Sequence, residues 1–82
     1  MDKSDKLKRR TAVFGELVRK KRRKLGLSQE DFAEKAELHR TYISDIELGK
    51  VDVSLTAAYK IATALKSPLS ILIKEIEKKV QP

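Results

Sequence analysis

Between residues 25 and 49 the chain carries two short helical patterns, joined by a tight turn and bounded by stop signals at both ends. Gly26 can take the left-handed conformation that ends a helix, because it has no Cβ to oppose it. Ser28 then opens a helix as its N-cap, and Asp31, three residues on, makes an acidic variant of the capping box. Leu27 before the cap and Phe32 within the helix form a hydrophobic staple. Phe32, Ala33 and Ala36 make the inner face, and small Ala33 lets a neighbouring helix come close. Glu37, Leu38 and His39 form the turn, with Leu38 as a plug over the core. The second helix covers residues 40–48. Ile43 and Ile46 face inward, Arg40, Thr41, Ser44 and Asp45 face outward, and Gly49 stops it.

The flanking segments extend the same logic. Residues 1–10 are strongly charged and lack periodicity, which predicts a flexible basic arm or a frayed helix start. Thr11 is the expected N-cap of a first helix whose inner face holds Phe14, Leu17, Val18 and Leu25. After a loop over residues 50–54, Ser54 caps a fourth helix with an apolar face of Leu55, Ala58, Ile61, Ala62 and Leu65. Ser67 and Pro68 break it. A fifth helix over residues 69–80 presents Leu69, Leu72, Ile73, Ile76 and Val80. No stretch alternates with period two beyond the pair Val51 and Val53. The expected architecture is all-α, with five helices in one domain over residues 11–82.

At 82 residues the chain can bury only a small core. It holds no cysteine and one histidine, which argues against a disulfide staple or a structural zinc site. Helix packing and oligomerisation remain as sources of stability. The net charge of +7 is unevenly placed. Residues 1–24 hold 11 Lys/Arg against 3 Asp/Glu, whereas residues 25–82 hold 8 against 9. Arg19, Lys20, Lys21, Arg22, Arg23 and Lys24 are basic without interruption. Such clustering is self-repulsive unless a polyanion relieves it. No apolar run reaches the roughly 18 residues of a membrane span, and the N-terminus lacks a secretory signal, so a cytoplasmic protein with no membrane partner is expected.

A short helix locked against another, beside concentrated positive charge, is a device for reading the major groove of DNA. Arginine can bond guanine in bidentate fashion, and threonine can offer a hydroxyl or set its methyl against thymine. Arg40 and Thr41 are therefore candidate base readers. Gln29 lies in the first turn of the preceding helix, where an amide and backbone N–H groups can hold a phosphate. Thr41 and Ser44 could equally be ordinary hydroxyl residues of an exposed helix face. Tyr42 could serve mainly in packing, and His39 reads most simply as a turn residue.

The spacing of Gln29, Ala33, Ile43, Glu47 and Gly49, followed by Ser54, Leu55, Ile61, Ala62 and Leu65, resembles the lambda-repressor-like (Cro/xenobiotic-response-element) DNA-binding domain. The run Arg40, Thr41, Tyr42, Ile43, Ser44 also resembles the controller proteins of restriction–modification systems. The resemblance implies that Gln29 contacts phosphate and positions the third helix. It implies base or phosphate contacts for Arg40, Thr41 and Ser44, a backbone contact for Tyr42, and phosphate contacts for Lys50 and the helix start at Ser54. Glu47 would pair with Arg22 as a structural tie. Asp45 departs from the pattern. It could accept from a cytosine amino group or be held away by Arg40. Val53 stands where a proline before Ser54 is common.

The leading expectation is a sequence-specific transcription regulator that binds double-stranded DNA as a homodimer and controls its own promoter. Leu69, Leu72, Ile73 and Ile76 of the fifth helix are the expected dimer interface, since the first four helices already supply a core. Two-fold symmetry would set two recognition helices about 34 Å apart on a near-palindromic operator. RNA polymerase is a further candidate partner. The alternatives are an antitoxin that represses its own promoter and a protein-interaction module on the same fold. An enzyme is disfavoured: the chain has no cysteine nucleophile, no glycine-rich phosphate loop and no paired carboxylates in an apolar setting. No catalytic residue, metal or cofactor is expected.

Overall fold

The computed structural model describes residues 3–80, with side chains from residue 8 onward. Five helices follow in order: α1 (Lys3–Lys24), α2 (Gln29–Ala36), α3 (Arg40–Glu47), α4 (Leu55–Ala64) and α5 (Leu69–Val80), with no strand among the described residues. α1 is the long axis. Its 22 residues at 1.5 Å each give about 33 Å, close to the 37 Å longest dimension of the molecule. α1 packs across α3 and α5, α2 packs on α3 and α4, and α4 closes against α5.

The first helix starts earlier than its sequence suggested. Thr11 is not an N-cap but a mid-helix residue, and residues 3–10 continue the same helix. Lysine, arginine and leucine, six of these eight residues, are good helix formers, so charge without periodicity does not prevent a helix here. Tertiary contacts help. Arg9 Nη2 donates to the Lys79 carbonyl at the end of α5, over 3.2 Å. Met1 and Asp2, the first residues of the expected arm, lie outside the described residues.

Phe14, Leu17 and Val18 of α1 are buried as expected, but Leu25 is not. It sits in the turn after the helix and is 43 % exposed, because the chain leaves the helical path before the seven-residue spacing is completed. Gly26 ends the helix with φ of 73°. α4 differs in a similar way. Leu55 is 70 % exposed, and the buried stripe is Ala57, Ile61, Ala64 and Leu65, with Ala62 beside it. That stripe runs at spacings of four, three and one. Leu55, two residues before Ala57, falls on the opposite side of the helix.

The core is one cluster drawn from all five helices. Val18, Phe32, Ile43, Ile46, Ile61 and Leu72 are fully enclosed, each contributing about 1.5–3 kcal/mol by removal from water. Leu72 and Ile76 of α5 belong to this core, at 0 % and 7 % exposure. They close the protomer, so little of either side chain remains on the surface to meet a second copy as the expected dimer interface requires. The core stripe of α5 is Leu69, Leu72, Ile76 and Val80, and Ile73 lies off it, 43 % exposed. Among the described residues no helix is long and apolar enough to cross a membrane.

Candidate nucleic-acid interface

α2 and α3 form a pair whose ends are set by local chemistry. Ser28 caps α2, its hydroxyl accepting the Asp31 N–H at 3.0 Å. Leu27 packs on the core cluster that contains Phe32, as a staple requires. Glu37 ends α2 in the left-handed conformation, with φ of 56°. That conformation costs a non-glycine residue about 1–2 kcal/mol. Bonds from the Glu37 N–H to Glu34 O, 3.1 Å, and from the Leu38 N–H to Ala33 O, 2.9 Å, hold it there. His39 occupies the N-cap position of α3 without a capping bond from its side chain.

The pair is locked by a buried ion pair. Arg22 Nε donates to Glu47 Oε2 at 2.6 Å and Arg22 Nη2 to Glu47 Oε1 at 2.9 Å. The third guanidinium nitrogen, Nη1, donates to the Leu27 carbonyl at 2.7 Å. Arg22 and Glu47 are 7 % and 8 % exposed. The bonds to Glu47 hold the Arg22 guanidinium above its ordinary pKa, outweighing the opposing effect of burial, so it is always charged. Gln29 joins the same carboxylate, Nε2 donating to Glu47 Oε1 at 3.1 Å. The Glu47 carboxylate therefore ties α1, the start of α2 and the end of α3, and Arg22 adds the turn before α2.

On this frame the expected contact residues differ in exposure. Gln29 is half-buried at the start of α2, with its amide oxygen not used by Glu47. Arg40 and Thr41 are exposed at the start of α3. Tyr42, Ser44 and Asp45 are half-buried, and Tyr42 packs on the core. Asp45 is not held by Arg40. Among the described residues the ion pairs are Arg22 with Glu47 and Lys21 with Glu75. Lys50 is exposed just beyond α3. Ser54 is exposed and caps α4, its hydroxyl oxygen accepting the Ala57 N–H at 3.1 Å. That leaves the O–H able to donate outward. Of the expected dimer residues, Leu69 is half-buried and Ile73 exposed.

Two supports of this face escaped the sequence reading. Gly15, in the middle of α1, is where α1 and α3 meet. A Cβ there would collide with the Ile46 carbonyl oxygen and stand 3.0 Å from that of Glu47. The signal was present, because a glycine inside a helix costs about 1 kcal/mol against alanine and needs a reason. The second is the loop over residues 50–54. Thr11 Oγ1 donates to Asp52 Oδ1 at 2.9 Å, and Gly49, with φ of 71°, lies against Ala12. These contacts fasten to α1 the loop that carries Lys50 and Ser54. No local pattern announces a bond across 41 residues.

A helix-turn-helix family profile matches residues 18–72, about two thirds of the chain. The chain belongs to the helix-turn-helix regulators of the Cro/C1 type. Among the sequences it is similar to are two control proteins. It is 48 % identical over 66 residues to control protein C.MunI of a Mycoplasma species, covering 79 % of this chain and 89 % of that one. It is 52 % identical over 54 residues to control protein C.BamHI of Bacillus amyloliquefaciens, covering 65 % and 67 %. The crystal structure of the restriction–modification controller protein C.AhdI from Aeromonas hydrophila superposes with a TM-score of 0.73 at 39 % identity, over 76 % of this chain and 94 % of that one. As a member of this family the protein is a DNA-binding transcription regulator. The matched span contains Arg22, Gln29, Glu47 and all of α3, whereas Gly15 and most of α1 precede it.

Proposed function

We propose that two copies of this regulator hold their α3 helices in successive major grooves of a near-palindromic operator, and that this operator governs restriction–modification genes, its own included. The observation that carries the reading is the outward start of α3. Arg40 and Thr41 are exposed on a helix whose far end is clamped by Glu47 to Arg22 and Gln29. A clamped helix holds its base-reading side chains in one register, which sequence discrimination requires. Arg40 and Thr41 read base edges. Gln29, Tyr42, Lys50 and Ser54 hold phosphates, and Ser44 and Asp45 border the groove.

Pairing of copies is supported by the apolar surface left over at α4 and α5. Tyr59 and Ile73 are 58 % and 43 % exposed and line one recess together with Leu69. Joining two such faces would place the α3 helices about 34 Å apart, one turn of DNA. Acting on a promoter puts the protein in the cytoplasm and beside RNA polymerase, which the bound dimer recruits or blocks according to operator position.

The test is selection of duplexes from a randomised library, followed by a salt titration on the recovered site. Neutralising about six phosphates gives a log–log slope near −5. A flat profile, or recovery of no common sequence, overturns the reading.

A further inference from the structure

The cationic run on α1 divides in two. Lys21 and Arg22 are spent inside the molecule, on Glu75 at 3.3 Å and on Glu47. Arg19, Lys20, Arg23 and Lys24 are exposed, and none pairs with a carboxylate among the described residues. Arg19 with Arg23 and Lys20 with Lys24 stand four apart, the spacing at which like charges on a helix face repel. The helix dipole favours cations in the last turn, where Arg23 and Lys24 lie, but Arg19 and Lys20 are a full turn earlier. Glu16, Arg19, Lys20 and Arg23 share one shallow recess, so a single acid faces three bases there.

The position of this strip is informative. Lys24 ends α1, and only the turn over residues 25–28 separates it from Gln29 at the start of α2. From there the strip runs back along α1, Arg19 and Lys20 lying about 6 Å beyond Arg23 and Lys24. α1 turns its buried side, Phe14, Leu17 and Val18, to α3 and α5. Its exposed cations lie on the opposite side of the helix, Arg19 and Arg23 along the edge that Gly15 sets against α3, and Lys20 and Lys24 along the edge beside Lys21, which pairs with Glu75 of α5. The geometry points to a second phosphate track: we propose that Arg19, Lys20, Arg23 and Lys24 hold the backbone of the duplex flanking each half-site, outside the bases read by α3. This rests on the dimeric operator reading above.

The experiment compares two lengths of the duplex recovered by selection with the wild-type chain. One is trimmed to the selected bases, and the other carries about half a helical turn of arbitrary sequence, ~5 base pairs, at each end. Arg19→Gln with Lys20→Gln keeps a good helix former at both positions, and thermal melting checks that the fold is intact. On the long duplex the double variant lowers the magnitude of the salt slope by about 2, and on the trimmed duplex it changes nothing. The selected bases stay the same. An unchanged slope on both lengths, or an equal loss on both, overturns the proposal. Failure of the wild type to select any sequence, or its sedimentation as a monomer, overturns the underlying reading and is seen before any variant is made.

Discussion

Gly15 of α1 lies directly against the Ile46 carbonyl of α3, with no room for a methyl group between them. The contact brings the backbone of the first helix onto the C-terminal turn of the recognition helix, beside Glu47. In an isolated helix alanine would be the better residue by about 1 kcal/mol. Here Gly15→Ala forces the two helices apart and is destabilising, by about 2–3 kcal/mol as for other overpacked sites. Urea unfolding measures it, and a variant more stable than wild type refutes the close approach.

Glu47→Ala leaves the Arg22 charge buried with only the Leu27 carbonyl as partner. The expected loss is about 3–5 kcal/mol, much of the stability of so small a domain. Replacing both partners, Arg22→Met with Glu47→Leu, removes the charges together and restores most of that loss. The double variant still binds DNA poorly, because Gln29 has lost its anchor on Glu47. Denaturation and DNA titration on the same samples separate the two effects.

Arg40→Ala is expected to cost about 1–3 kcal/mol on the selected site and to relax preference at one base position. The fold is untouched, since Arg40 is exposed and makes no contact that holds α3. Equal weakening on selected and random duplexes would reduce Arg40 to a phosphate contact.

Ile73 and Ile76 differ by three positions and by nearly everything else. Ile76→Asp puts an unpaired carboxylate into the protomer core, where Ile76 is 7 % exposed, and unfolds the chain. Ile73→Asp, at a 43 % exposed site, keeps the melting transition within about 1 kcal/mol of wild type and yields monomers by sedimentation. A folded Ile73→Asp dimer would move the proposed interface elsewhere.

Where the sequence reading succeeded, the controlling chemistry was local. The cap at Ser28, the stop at Gly26 and the break at Ser67 and Pro68 are decided within a few residues of each other. The Arg22–Glu47 pair was legible through the family resemblance, although it spans 25 residues. Where it failed, phase or distance decided. Leu55 and Leu25 look like core residues until the helix direction is known. Leu72 and Ile76 look like a spare apolar face until α1 is seen lying on them.

By itself the sequence determined five helices, the caps at Ser28 and Ser54, the stops at Gly26 and Gly49, the outward start of α3 at Arg40 and Thr41, and the charge concentrated in the first 24 residues. These follow from short-range hydrogen bonding, from periodicity and from composition. Only the tertiary structure decided which cations of α1 are consumed internally and which stay outside, and that Gly15 is a contact rather than a flaw. It alone split the apolar residues of α5 between the core and the surface. The reason is common to all three. Burial is a property of what one helix meets in another, and no spacing along a single helix states what lies across from it.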